Sequence, residues 1–208
     1  MPIIKIEHPL LKHKLSHIRK KSTSTKEFRE FIFEISRLMA YEVLKKIKLR
    51  KIKIETPITK TIGYEIDQDI NLFPILRAGL GMLAGFENLV LNTKVGHIGL
   101  YRDEKTLDPV QYLFKVPKQN LTTSLNILLD PILATGGTAS IALDLLKKAG
   151  FKNIVLVIIL ASKKGLEKIA KKHPDVLIYV GSVDKTLLKN GYLSPGIGDA
   201  GDRMFGTK

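Results

Sequence analysis

Leu128-Leu129-Asp130-Pro131-Ile132-Leu133-Ala134-Thr135-Gly136-Gly137-Thr138 is the stretch that decides the fold class of this chain. An apolar run (Leu125, Ile127, Leu128, Leu129) meets an acid, Asp130, and a short loop then ends in Thr135-Gly136-Gly137-Thr138. Beyond it Ala139, Ile141, Ala142, Leu145 and Leu146 recur at helical spacing until Gly150, a natural helix stop. The pattern predicts strand, loop, helix. Such a loop puts backbone N–H groups and two hydroxyls at the positive end of a helix, which suits a phosphate. Its glycines let the backbone approach an anion with no Cβ in the way. An acid at the strand end suits sugar hydroxyls, as ribose-binding acids do in dinucleotide folds. The segment therefore reads as a ribose-phosphate site. An ordinary glycine-rich turn between strand and helix has the same outline.

Outward from this point, strands and helices alternate. Phe28, Phe31, Ile32, Ile35, Leu38, Met39 and Val43 fall on one helical face, with Ser24 or Thr25 as its cap. Residues 52–55 and 61–66 alternate as short strands around Pro57. Residues 71–76 form a short buried strand that runs into a loop at Arg77, followed by a helix over 80–91. Residues 95–101 and 110–116 are strands joined by a polar loop over 103–108. Residues 154–160 are a continuous β-branched and leucine run, as in a strand covered on both faces. Residues 162–173 are amphipathic, and 176–180 make a last core strand. From Gly191 the chain is rich in Gly and Pro, with little helix or strand pattern. The alternation predicts an α/β fold, a doubly wound and mainly parallel sheet. Ligands in such sheets bind at the carboxyl ends of strands, so the Arg77 loop and the Thr135–Thr138 loop face one cleft.

Composition sets outer bounds. The 208 residues fit one domain, 1–208, and 44% hydrophobic residues suffice for a core. There is no cysteine, which excludes disulfides and thiolate chemistry. The first ten residues lack a long apolar stretch, so no secretory signal is expected. The longest apolar run, 154–161, is too short for a bilayer span. The expectation is a cytoplasmic protein without membrane contact. The net charge of +14 raises a nucleic-acid reading. Its clusters, 45–53 and 163–172, lie in amphipathic segments where a solvated face is expected, and aromatics do not interleave with them. Nucleic acid is therefore not expected as a partner.

Four motifs in order carry a resemblance. They are Asp130–Thr138, Pro74-Ile75-Leu76-Arg77-Ala78-Gly79-Leu80-Gly81, the tail from Gly191 through Ser194-Pro195-Gly196-Ile197-Gly198-Asp199-Ala200-Gly201-Asp202-Arg203, and the opening His8-Pro9-Leu10-Leu11-Lys12-His13-Lys14-Leu15. Together they resemble the uracil phosphoribosyltransferases, of the type I phosphoribosyltransferase superfamily. The resemblance is thinnest between about residues 45 and 69. It implies a phosphoribosyltransferase core with an N-terminal helical arm and a C-terminal base-binding hood. It implies transfer of phosphoribosyl from 5-phosphoribosyl 1-pyrophosphate to uracil, giving uridine monophosphate (UMP salvage), with Mg²⁺. Most such enzymes carry two adjacent acids where this chain has Asp130-Pro131, so the resemblance implies Mg²⁺ held by substrate oxygens and water, with Asp199 the protein group nearest its chemistry.

The same resemblance distributes roles. Arg77, alone in a small-residue loop, and Arg102, in a closing hairpin, hold pyrophosphate. Asp130 holds the ribose. Pro131, Ile132, Leu133, Ala134, Thr135, Gly136, Gly137 and Thr138 surround the 5′-phosphate. Leu193, Gly198 and Ala200 meet the uracil edge through their backbone, and Asp199 faces the sugar-phosphate. Pyrophosphate loops of the superfamily often contain a non-proline cis peptide, which places strain near Leu76–Ala78. Members usually form homo-oligomers, and GTP acts as an allosteric effector of some. A pyrimidine-responsive RNA-binding regulator on the same fold is the alternative; the intact Gly196–Arg203 tail argues against it. His13 and His17, four apart, have metal-compatible spacing but no third ligand at a telling distance.

Overall fold

A strand such as Ile154–Ser162, apolar at almost every position, is stable only with cover on both faces. The structure, a computed structural model, describes residues 3–90, 92–102 and 109–207, without the side chains of residues 102 and 109. In chain order the elements are β1 (Ile3–Lys5), α1 (Pro9–Arg19), α2 (Thr25–Val43), β2 (Leu49–Glu55), β3 (Lys60–Ile66), β4 (Ile70–Leu76), α3 (Leu80–Glu87), β5 (Lys94–Val95) and β6 (His97–Arg102). There follow β7 (Pro109–Lys115), β8 (Leu125–Leu133), α4 (Gly137–Lys148), β9 (Ile154–Ser162), α5 (Lys163–Lys172), β10 (Leu177–Asp184), β11 (Thr186–Leu187), β12 (Leu193–Ser194) and α6 (Ala200–Phe205).

The main sheet has the order β1-β10-β9-β8-β4-β6-β7, with β5 also paired to β4. Its neighbours run parallel except β6 and β7. Successive residues of a strand point to opposite faces. Ile127, Leu129, Val155, Val157 and Ile159 accordingly pack with Phe28, Ile32, Met82 and Met204 from α2, α3 and α6. Leu128, Ile154, Leu156 and Ile158 pack the other way, with Leu143, Leu146, Leu166 and Ile169 of α4 and α5. The mainly parallel α/β sheet with helices on both faces is the predicted fold class.

Helix α2 starts at a reciprocal cap. Ser24 Oγ accepts from the Glu27 N–H at 3.3 Å, and Glu27 Oε2 accepts from the Ser24 N–H at 2.9 Å. Such a cap contributes about 1 kcal/mol. Strands β2 and β3 pair only with each other as a two-stranded sheet, and Ile58 at its tip is 94% exposed. Among the described residues no helix is long and apolar enough to cross a membrane.

Three local expectations need correction. Helix α3 ends at Glu87, four residues short of the predicted stop, and the strand predicted over 95–101 is broken at Gly96 into β5 and β6. The tail after Gly191 is not devoid of regular structure. It pairs β12 with β11 and forms α6, whose start is capped by Asp199, with Oδ1 accepting from the Asp202 N–H at 2.9 Å. A helix of six residues is too short for periodicity to announce. The predicted polar loop at 103–108 lies outside the described residues.

His173, which ends α5, ties that helix to α4. Its Nε2 shares a 3.0 Å hydrogen bond with Ser140 Oγ in the first turn of α4, and the residue is buried. Burial, with the Lys147 charge nearby, holds the imidazole below its ordinary value of 6.5. The unfolded chain therefore takes up this proton first as pH falls. The stability contribution is full above the unfolded value and is lost as pH drops through it toward the folded one. We expect the melting temperature to fall between about pH 7 and pH 5, with a shallower fall in His173→Gln. Identical pH slopes of the two proteins in thermal melts would refute this.

Candidate active site

The cleft originates in the way two parallel strands part. Strands β4 and β8 pair from Ile70 with Leu125 to Pro74 with Leu129, and no further. Strand β8 continues beside β9 as far as the Leu133–Ala161 pair. From Asp130 to Leu133 it therefore has one neighbour and an open edge. Pro131 lacks an N–H and sits on this stretch, where no second strand asks for a donor. The chain leaves β4 through α3 toward β6 on one side, and β8 through α4 toward β9 on the other. Such a switch point opens a crevice at the carboxyl ends of the strands.

The crevice is a cavity of about 430 Å³. Arg77, Asp130, Pro131, Ile132, Leu133, Ala134, Gly136, Gly137, Thr138, Leu193, Gly198, Asp199 and Ala200 all line it. Three segments far apart in sequence thus meet in one place. Thr135 is absent from the lining; its hydroxyl accepts from the Gly137 N–H at 3.4 Å. Arg102 ends β6, and its side chain lies outside the described residues. The sequence reading missed Asn190, Tyr192 and Ile197, which also line the cleft. They flank the glycines of the tail, the one signal that could have pointed to them.

Helix α4 begins without a side-chain cap, at Gly136 with φ +75°. Its first residues, Gly137 to Ala139, line the cleft, so the positive end of the helix opens into it. The loop before it is held from behind. Ser162 Oγ donates to the Ala134 carbonyl at 2.5 Å and accepts from the Gly165 N–H at 2.8 Å. A Cβ on Gly165 would lie 2.6 Å from the Ala134 carbonyl oxygen and 3.0 Å from that of Leu133. Only a glycine lets α5 approach the loop this closely.

The other groups are placed by polar contacts. The Leu76–Arg77 peptide is cis, as the resemblance implies. Arg77 donates from Nη2 to Asp202 Oδ1 at 3.1 Å and lies over the Phe205 ring. Asp202 is a partner that the sequence reading did not assign. Asp130 Oδ1 accepts from the Ile132 N–H at 3.5 Å. Among the described residues lining the cleft, Arg77 is the one cation. Among the described residues no group of three or more acidic or histidine side chains is placed to hold a metal ion. The carboxylates of Asp130 and Asp199 are hard oxygen donors on the cleft, which fits Mg²⁺ bound mainly through other oxygens.

Comparison with known proteins agrees with this fold. A hypoxanthine-guanine phosphoribosyltransferase from Bacillus anthracis, 15% identical, shares the fold with a TM-score of 0.52 over 77% of this chain and 80% of its own. The AQ2163 protein from Aquifex aeolicus is 38% identical, with a TM-score of 0.92 over 98% of both chains. A uracil phosphoribosyltransferase from Streptococcus salivarius is 51% identical over 204 residues, 98% of this chain and 97% of its own. Residues 5–207 match the uracil phosphoribosyltransferase family, and the chain belongs to it.

The contact between α5 and the loop is testable by stability alone. Gly165→Ala should cost about 1–3 kcal/mol in urea unfolding through steric conflict with the Ala134 carbonyl. Lys164→Ala, one residue away and exposed, should stay within about 0.5 kcal/mol. Equal midpoints for the two variants would mean that the loop is not braced there.

Proposed function

We propose that this chain, as one domain over 1–208, transfers phosphoribosyl from 5-phosphoribosyl 1-pyrophosphate to uracil. The observation that carries the reading is the convergence of the Arg77 loop, Asp130–Thr138 and Leu193–Ala200 on one cleft, in a member of this family. A ring nitrogen of uracil bonds to ribose C1 as the bond from C1 to pyrophosphate breaks, and the nitrogen loses its proton. The transition state has oxocarbenium character, with positive charge on the sugar and negative charge on the departing pyrophosphate. Catalysis is mainly electrostatic.

Each segment has a part. Arg77 and Arg102 hold the leaving pyrophosphate, since a guanidinium grips phosphate oxygens in pairs. Asp130 accepts bonds from the ribose hydroxyls. The backbone of Ala134 to Thr138, at the uncapped start of α4, holds the 5′-phosphate. Leu193, Gly198 and Ala200 read the uracil edge through backbone groups. Mg²⁺ would neutralise charge on the pyrophosphate oxygens, held mostly by substrate oxygens and water, with Asp199 the protein carboxylate that could reach it. We further infer a cytoplasmic homo-oligomer, with GTP as an effector. The exposed apolar side chains of the β2–β3 arm, Ile54, Ile58, Ile62 and Tyr64, support self-association.

Asp130→Asn should retain the fold and lose charge-assisted bonds to the ribose, each worth about 1.5–3 kcal/mol. Steady-state assays should then show kcat/KM for phosphoribosyl pyrophosphate at least about tenfold lower. Unchanged kinetics in a folded variant would remove Asp130 from the site.

Base choice offers a second check. Cytosine replaces an acceptor with an amino donor and lacks the N3 proton, so a site built for uracil leaves polar groups unpaired. Cytosine, adenine and hypoxanthine should be poor substrates, and 5-fluorouracil, with the same edge, should be used. Comparable turnover of cytosine would mean that the base is read differently.

A further inference from the structure

Two charged residues outside the cleft grip the tail that closes it. Gly196 follows the short strand β12 and has both backbone groups engaged. Its N–H donates to Asp184 Oδ2 at 2.8 Å, and its carbonyl accepts from Arg19 Nη1 at 3.0 Å. Arg19 in turn holds Asp184 as a fork, Nη1 to Oδ2 at 2.9 Å and Nη2 to Oδ1 at 2.5 Å. Asp184 ends β10 and is buried; Arg19 ends α1. The carboxylate thus receives three hydrogen bonds, from the first helix and from the C-terminal loop. A second arginine reinforces the join. Arg203 Nη1 donates to the Ile18 and Ile197 carbonyls, and Nη2 to the Lys20 carbonyl.

The residues just beyond Gly196, namely Ile197, Gly198 and Asp199, line the cleft, whereas Arg19 and Asp184 do not. We propose that Arg19 and Asp184 are positioning residues that set how this enzyme selects its base, by fixing the backbone of Gly196 and hence the segment that meets the pyrimidine edge. This rests on the reading of Leu193–Ala200 as the base-binding segment. The physical reason is that backbone recognition has no side-chain freedom to correct a misplaced loop. A donor or acceptor displaced by a fraction of an ångström loses its partner, and small misplacements in a site are costly. A bidentate arginine–carboxylate pair held in a buried setting fixes both distance and plane. Lysine in place of Arg19 retains charge but cannot bridge both acceptors in one plane.

The test is steady-state kinetics of the full chain with uracil, cytosine and phosphoribosyl pyrophosphate. Arg19→Gln and Asp184→Asn should raise KM for uracil about tenfold, as loss of charge-assisted bonds would. KM for phosphoribosyl pyrophosphate should rise less, by about threefold at most, because the phosphate loop is braced separately by α5 and only Asp199 and Asp202, the partner of Arg77, lie on the tail. Preference for uracil over cytosine in kcat/KM should narrow, and Arg19→Lys should lie between wild type and Arg19→Gln. A merely structural role would raise both KM values together or neither, and leave the base preference as it was; that pattern overturns the proposal, and the milder Arg19→Lys supplies it if the other variants fold poorly. Gly196→Ala, whose Cβ would sit 2.2 Å from the Leu193 carbonyl oxygen, perturbs the loop directly. If it raises KM for uracil while the Arg19 and Asp184 variants do not, the clamp is wrong and the base-binding segment stands. If it too leaves uracil kinetics unchanged, the base-binding segment is wrong and the clamp falls with it.

Discussion

Strands β4 and β8 run side by side for five residue pairs and then separate, and the rest of the molecule's chemistry depends on that separation. A central strand in a parallel sheet has both edges hydrogen-bonded, which leaves no room for a ligand. Once β4 has turned away after Leu76, β8 continues with β9 on one side and open space on the other. Asp130 and Pro131 are tolerated inside β8 for this reason: a carboxylate and an absent donor would both be out of place between two neighbours. The same separation sends the two crossover helices to opposite sides, so the start of α4 and the loop before α3 point at a common space.

The floor of the cleft is built from the sheet, but its wall is borrowed from the chain's far end. The tail from Leu193 to Met204 is part of the core as well as of the cleft. Leu193, Ile197, Ala200 and Met204 are buried against α2 and α3. Arg203 lies over the Phe28 ring, with 4.4 Å from its guanidinium carbon to the ring centre, and burial pulls it below its ordinary value. The α1–α2 arm and this wall of the cleft therefore share one packed core. This packing explains why a segment rich in glycine and proline lies in one place along the cleft.

The positive charge of the chain is distributed elsewhere. Arg77 is the one cation among the described residues lining the cleft, so among those residues the excess charge lies mostly away from it. Much of it lies on α5, where Lys172 faces Asp144 at 2.5 Å and Lys163 faces Glu167 at 3.8 Å, and on the β2–β3 hairpin, where Arg50 pairs with Glu65 at 2.8 Å. Exposed pairs of this kind contribute little to stability and interleave both signs on the surface. That arrangement is the solvated face read from amphipathic spacing.

Local sequence by itself determined the fold class, most of the long elements and the strand, loop and helix around Thr135–Thr138. These depend on apolar periodicity, on capping residues such as Ser24 and Glu27, and on glycines at the Thr135–Thr138 turn, all of which act over a few neighbours. Asp130 was legible as an acid beside that loop, but its place inside β8, one residue past the last pairing with β4 at Leu129, was not. That depends on where two distant strands stop pairing. Short elements were also hidden: α6 has too few residues for a period to emerge, and the end of α3 at Glu87 was not legible because nothing in its apolar run marks it. Only the tertiary structure decided that Asp202 faces Arg77, that Gly165 supports Ala134, and that Arg19 and Asp184 hold Gly196. Each joins residues at least 12 positions apart, through hydrogen bonds or close backbone approach whose geometry no local pattern encodes. Such contacts exist only after the core has packed and brought their elements together.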